Sequence, residues 1–356
     1  MKVSEKVLEM RKQRKSKQFI RQGIFTALLC VVLVLIGVST YSDYLIGNDV
    51  SRTIHHSPET MCMEGEILGE DRETVSVSTQ SYQKKEAPLI GEEAKTLKED
   101  IKSEYAIIVR EGDDMILLDK YATERMYPAS LTKMMTALVA LERSKDLNTE
   151  YIVSKTIKDS LEGRDASEAG FLSEERVRTI DLLYGVLLPS GAECCLTLAQ
   201  NLAGSEEEFV NWMNEKAEEL GMKDTHFVNS TGLHDENHYS TAYDMAILLK
   251  EVEKKDLLRE IMGSPKHVVP PTNKHTDGIT IYNSMYTKME KEDTSSAYIL
   301  GGKTGYTPQA GLCLASFGEV NGIGYYVITA AANGNYRTKQ NNILDSLSMY
   351  SMLSKK

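Results

Sequence analysis

The chain has 356 residues, 41% hydrophobic and 26% charged, ordinary proportions for one large folded domain or two smaller ones. Its formal net charge of −11 at pH 7 argues against nucleic acid as a partner. Its five cysteines are scattered without CxxC spacing, which excludes a disulfide framework and a zinc ribbon.

The acidity is uneven. Residues 1–22 carry Lys2, Lys6, Arg11, Lys12, Arg14, Lys15, Lys17 and Arg21 against Glu5 and Glu9. Residues 22–42 hold no charge, and 24–38 are almost continuously apolar. Such a run can just cross a hydrocarbon layer of about 30 Å. A basic flank ahead of it predicts a cytoplasmic N-terminus with the rest outside. Residues 1–22 therefore read as a basic cytoplasmic tail and 23–42 as a single-pass membrane anchor. The competing reading is a signal segment cleaved after Ser39, because Gly37-Val38-Ser39 has the small-x-small form. Residues 43–100 show mixed charge and no apolar period, and read as a flexible extracytoplasmic linker. His55 and His56 fall there as an inert exposed pair.

A folded domain is expected over 101–356. Residues 105–109 and 115–118 read as two short strands around a Glu111-Gly112-Asp113-Asp114 turn. Residues 128–143 read as a strongly apolar helix, followed by helices at 179–188, 192–204, 206–220 and 241–254. Gly221 is placed to cap the third of that group. Residues 311–317 and 323–332 are β-rich, with Asn321-Gly322 in the turn between them. A helix over 338–353 closes the chain. Strands at both ends and helices between them predict an α+β fold with one antiparallel sheet built from the two ends. Cys194 and Cys195 open a helical apolar run and read as small buried side chains.

Three short segments carry the chemistry. In Ser130-Leu131-Thr132-Lys133, a serine and a lysine three apart at a helix start share one face. Pro128 suits that first turn. A serine hydroxyl becomes a nucleophile when a neighbour takes its proton, and a lysine amine can do so if burial and nearby charge lower its pKa. The apolar run from Met134 to Leu141 implies such burial. The helix N-terminus also favours the anion that develops on the serine. The other two segments are Pro189-Ser190-Gly191 and Lys303-Thr304-Gly305, the latter on an edge-like strand. A lysine and a hydroxyl there can bind a carboxylate, and a glycine lets a substrate backbone approach. The three together match the layout of penicilloyl-serine enzymes.

Their surroundings resemble a known family. The segment from Tyr127 to Thr136, Asp181-Leu182-Leu183-Tyr184-Gly185, Asn229 through Leu233, Tyr239 through Asp244, and Gly302 through Thr307 look like the D-alanyl-D-alanine carboxypeptidases. These are low-molecular-mass penicillin-binding proteins, serine peptidase family S11. The resemblance covers about residues 104–335 and implies the serine β-lactamase/transpeptidase-like fold, with the sheet flanked by a helical subdomain. It implies catalytic roles for Ser130 as the acylated nucleophile, Lys133 as its general base and Ser190 as a proton relay. Lys303 and Thr304 would hold the substrate carboxylate, Gly305 would line the substrate strand, and the N–H groups of Ser130 and Tyr306 would form the oxyanion hole.

The implied substrate is the peptidoglycan stem peptide, with β-lactams as covalent inhibitors and neither metal nor cofactor. One departure from the family pattern is the second motif, Ser190-Gly191-Ala192, where Ser-x-Asn is usual. Glu193, next in line, is expected to point elsewhere. That departure raises the alternative of a catalytically weak or dead wall-binding scaffold. A β-lactamase is a further alternative, but no Glu-x-x-x-Asn segment is well placed between the second and third motifs to activate a deacylating water. His226, His234 and His238 invite a triad reading. It is set aside, because Ser130 and Lys133 already supply nucleophile and base, which leaves the histidines structural or rim roles. The resulting expectation is a cell-membrane, single-pass carboxypeptidase with its catalytic domain outside, or a secreted one if it is cleaved after Ser39.

Overall fold

The computed structural model describes residues 91–292 and 298–354. In chain order it contains α1 (Gly91–Asp100), β1 (Tyr105–Arg110), β2 (Ile116–Lys120), a 3-10 turn at Ala129–Thr132 and α2 (Lys133–Arg143). Then follow β3 (Glu150–Val153), α3 (Lys155–Leu161), β4 (Glu175–Arg178), α4 (Thr179–Leu187), α5 (Ala192–Ala203), α6 (Glu206–Glu219), α7 (Ala242–Lys254) and α8 (Asp256–Met262). The chain continues through β5 (Lys266–Val269), β6 (Ile279–Tyr282), α9 (Ser284–Lys291), β7 (Ile299–Thr307), β8 (Gly311–Val320), β9 (Ile323–Ala332) and α10 (Asn341–Ser354).

The main sheet has the order β2-β1-β9-β8-β7, and every pair in it is antiparallel. The two ends of the domain thus meet at the β1–β9 pairing, where Tyr105 faces Ala330 and Arg110 faces Tyr325. Strand alternation divides the core in two. Ile107, Val109, Cys313, Ala315, Phe317, Tyr326 and Ile328 face one cluster, with α2 and α4–α8. Ala106, Ile108, Leu314, Tyr325 and Val327 face the other, with α9 and α10. Both faces of the sheet are covered, so its central strands are buried throughout rather than alternately. Helix α2 is buried from Lys133 to Ala140 and forms the axis of the helical side.

Several elements form for local reasons. Asn321 and Gly322 both take positive φ, 52° and 82°, as the turn between β8 and β9 requires. Ser205 and Thr241 cap α6 and α7 by accepting the backbone N–H groups of Glu208 and Asp244. Gly221, at φ 76°, ends α6 with the Met222 N–H on the Ala217 carbonyl.

The structure differs from the sequence reading in four places. Residues 91–100, read as the end of an irregular linker, form α1, which packs on β2 and α10. The helix expected from residue 128 starts at Lys133, because Ala129 takes φ +47° and the chain turns in 3-10 form first. Two small ribbons, β3–β4 and β5–β6, were not expected. Their strands have only four residues each and carry too little pattern to be read. Helices α3, α8 and α9 escaped for the same reason. Among the described residues no helix is long and apolar enough to cross a membrane, and the expected anchor at 23–42 lies outside them.

Candidate active site

The 3-10 turn explains how Ser130 and Lys133 meet. Side chains at i and i+3 eclipse in that geometry, and the Lys133 Nζ lies 3.2 Å from the Ser130 Oγ. The turn is held by the Leu131 N–H on the Pro128 carbonyl. A non-glycine residue at positive φ, Ala129, immediately precedes the serine, the kind of strained backbone that clusters at functional sites. Lys133 is 2% exposed. Burial lowers its amine below the usual lysine range, although Cys195, Glu193 and Cys194 oppose the shift. Its second partner is the Thr231 carbonyl, at 2.5 Å.

Ser190 arrives from the segment after α4, also at positive φ, 74°. Its Oγ accepts from the Lys303 Nζ at 2.9 Å. Lys303 lies on the edge strand β7, is buried, and donates also to the Thr304 carbonyl at 2.9 Å. Burial drives its pKa well down, and the neighbouring charges of Lys133 and Lys288 add to that. Two buried lysines in one site cannot both hold a proton cheaply while no anion is present. Gly305 brings β7 against the Ser130 turn, since a Cβ there would sit 3.1 Å from the Ser130 nitrogen and 3.2 Å from the Pro128 oxygen.

The fold therefore brings Ser130, Lys133, Ser190, Lys303 and Gly305 together from three distant segments. The other two expected residues, Thr304 and Tyr306, adjoin them on β7. The Thr304 hydroxyl pairs with the Ser284 Oγ at 2.8 Å, and the Tyr306 ring meets Tyr336 edge-on at 6.2 Å. At the second motif, Ala192 is buried and offers no polar side-chain atom. Glu193 points away from the serine as expected. Its Oε1 accepts the Ala169 and Gly170 N–H groups at 2.7 and 3.0 Å, and its Oε2 has no partner among the described residues. Burial pushes its carboxyl up. Cys194, Cys195 and Cys313 are free and buried. Among the described residues no cluster of His, Cys, Asp and Glu could hold a metal ion.

Sequence reasoning missed the contribution of the segment between α6 and α7. Asn229 organises a turn by accepting the N–H groups of Thr231 and Gly232 and the Thr231 hydroxyl. That turn delivers the Thr231 carbonyl to Lys133. The Ser230 carbonyl accepts from the Thr136 Oγ1 at 2.6 Å. A visible signal existed, since Asn followed three residues later by Gly favours such an Asx turn, but its target could not be read.

His238 is structural, as expected. Its Nδ1 accepts the Val228 N–H at 3.2 Å, so Nε2 carries the proton and donates to the Thr132 Oγ1 at 2.7 Å. Burial lowers its pKa to about 4. A histidine held neutral in the folded state takes up a proton more readily when unfolded, so folding stability falls as pH drops from about 6.5 to about 4. The full loss is about 3 kcal/mol. The melting temperature should fall over that window, and His238→Gln should flatten the fall. An unchanged slope in the variant would assign the acid sensitivity to other groups. His226 and His234 lie outside the bonded core: the first contacts the Asn237 carbonyl through Nδ1 at 2.7 Å, the second the Tyr127 ring edge-on at 4.7 Å.

Comparison with known proteins gives a consistent result. Residues 92–333 match the model of the family described as D-alanyl-D-alanine carboxypeptidase, peptidase S11. The chain is 33% identical over 214 residues to the D-alanyl-D-alanine carboxypeptidase DacF of Bacillus subtilis (strain 168), covering 59% of this chain and 52% of that protein. It is 34% identical over 200 residues to DacD of Escherichia coli (strain K12), covering 52% of this chain and 47% of that protein. The chain thus spans about half the length of the curated relatives it matches. Among solved structures, the DD-transpeptidase of Streptomyces K15 superposes with a TM-score of 0.65 at 24% identity, covering 71% of this chain and 98% of that one. This likeness bears out the α+β, transpeptidase-like fold.

Proposed function

This chain belongs to the D-alanyl-D-alanine carboxypeptidase family, peptidase S11, and from that premise we propose that it removes the terminal D-alanine of peptidoglycan stem peptides. The observation that carries the reading is the pair of buried contacts, Lys133 to Ser130 and Lys303 to Ser190, assembled from three distant segments on one sheet edge.

The chemistry follows from those contacts. The neutral Lys133 amine takes the Ser130 proton as Oγ bonds to the carbonyl carbon of the penultimate D-alanine. The negative charge that develops on the carbonyl oxygen is met by the Ser130 and Tyr306 N–H groups. The C–N bond then breaks. Ser190 passes a proton to the departing D-alanine amine and takes one from Lys303, to which it is bonded; water then attacks the acyl carbon, its proton going back to Lys303 through Ser190, while Lys133 returns its proton to the Ser130 Oγ as the ester bond breaks. Lys303 and Thr304 hold the terminal carboxylate. The arriving anion favours a charged Lys303, and its departure reverses that preference. A β-lactam enters the same path and stays acylated, because its leaving group remains tethered.

The experiment is D-alanine release from an acyl-Lys-D-Ala-D-Ala tripeptide by the full chain in detergent, run beside nitrocefin. Release of D-alanine with covalent penicillin labelling supports the reading. Fast nitrocefin turnover without release would make the chain a β-lactamase. Labelling without release would make it the scaffold that Ala192 suggests.

The N-terminal charge pattern supports a membrane anchor at 23–42 with the catalytic residues outside the cell. Full-length protein should remain in the membrane pellet through a high-salt wash, and recovery of a soluble chain beginning at Thr40 would replace the anchor with a cleaved signal.

A further inference from the structure

Lys133 has two polar contacts, and both need explaining. One, to the Ser130 Oγ at 3.2 Å, is the reacting pair. The other, to the Thr231 carbonyl at 2.5 Å, has no part in the bond changes of the reaction. The second motif lends Lys133 nothing from Ala192, whose side chain has no polar atom.

A neutral amine has two N–H bonds and one lone pair. Unless an N–H is held, the group turns about its Cε–Nζ bond among staggered positions, and the lone pair meets the Ser130 proton only part of the time. One N–H fixed on a carbonyl removes that freedom. The Thr231 carbonyl is therefore an aiming device, and its value depends on how firmly it is held.

The turn that carries it is organised by the Asn229 side chain, and Glu206 anchors it beside Asn229 by accepting the Ser230 N–H and Oγ at 2.9 and 2.7 Å. The Asn229 Oδ1 accepts from the Thr231 N–H at 3.1 Å, the Thr231 Oγ1 at 3.0 Å and the Gly232 N–H at 2.7 Å. The Asn229 Nδ2 donates to the Leu233 carbonyl at 2.9 Å. The amide is thus spent entirely on the turn 229–233. Two further contacts hold the same segment against the residues around Ser130: Ser230 to Thr136, and Gly232 against the Ala129 backbone.

We propose that Asn229 is the positioning residue that aims the Lys133 amine at Ser130, acting through the Thr231 carbonyl. This rests on the reading of Ser130 as the acylated nucleophile. Asn229 touches neither substrate nor reacting atoms.

The sign of the pH effect separates this role from a merely structural one. The titratable groups around Lys133 are Glu193, Cys194 and Cys195 from α5, Lys303 from β7 and His238 from the same segment. None of them changes when Asn229 is replaced. A carbonyl acceptor stabilises the ammonium form over the amine, so losing its aim makes Lys133 easier to deprotonate. Asn229→Ala should lower the plateau rate of acylation by about 10- to 100-fold and move the acid limb of the pH profile to lower pH. Asn229→Asp keeps the acceptor for all three donors, gives up the bond to the Leu233 carbonyl and adds a negative charge. It should keep more of the plateau and move the acid limb to higher pH.

The measurement is the rate of labelling by fluorescent penicillin from pH 5 to pH 10, on the full chain and both variants, with thermal melts alongside. Opposite displacements of the acid limb support the proposal. Variants that lose rate by one factor at every pH reduce Asn229 to a folding residue and overturn it. Variants that follow the wild type at every pH overturn it while leaving the acyl-serine reading intact. A wild type that never labels overturns both. If Asn229→Ala does not fold, the limb of Asn229→Asp decides alone.

Discussion

Replacing Lys133 with methionine should slow acylation of Ser130 by about three orders of magnitude, within the span ascribed to general acid–base catalysis. Ser130→Ala should abolish acylation. The only amine within hydrogen-bonding reach of the Ser130 Oγ among the described residues is Lys133. Lys303 is committed to Ser190 and to the Thr304 carbonyl. The same substitution should leave stability unchanged or raise it. A buried lysine whose amine is pushed down by desolvation costs free energy in the folded state; methionine fills a similar volume without that cost, which offsets the Thr231 carbonyl left without its donor. Lost activity with a retained or raised melting temperature is the usual signature of a catalytic group. Penicillin labelling and a thermal melt on one preparation test both halves. Labelling within tenfold of wild type would remove Lys133 from the base role, and a sharply lowered melting temperature would make it structural.

Gly232→Ala should be nearly as damaging, by a different route. Gly232 has φ +76°, where a side chain is strained. A Cβ there would lie 2.0 Å from the Ala129 oxygen and 2.5 Å from its carbonyl carbon. Those atoms are backbone and cannot swing aside. Either the 229–233 turn retreats from the catalytic helix or the Ala129–Ser130 peptide moves, by about 1 Å in either case, enough for a loss of about 100-fold in rate. The left-handed strain adds about 1–2 kcal/mol. Activity should therefore fall much further than stability. Acylation within a few-fold of wild type would mean that the segment yields freely, which would also weaken the argument for its aiming role.

The fold was legible where pattern is long. Helices α4 to α7 fell within a residue or two of expectation because each carries ten or so residues of apolar period, and Gly204, Ser205 and Thr241 cap α5, α6 and α7. The β8–β9 hairpin was legible through Asn321-Gly322. The short ribbons and the 3-10 start of the catalytic helix were not. Four-residue strands have no period to count, and the left-handed Ala129 packs against Gly232 and Gly305, which come from distant segments.

At the site, the candidate reacting groups were legible in the residues alone. Ser130 and Lys133 are neighbours through local helical geometry, and the apolar run behind them states that the lysine is buried. Ser190 and Lys303 could be named but not joined, because a contact across 113 residues has no local cause. Only the tertiary structure decided that the second motif's glutamate turns away to hold Ala169 and Gly170, that Thr304 leans on Ser284, and that Lys133 takes its second partner from Thr231. The last of these is a backbone carbonyl. Every residue carries one, so its position follows from the fold and from no letter of the sequence.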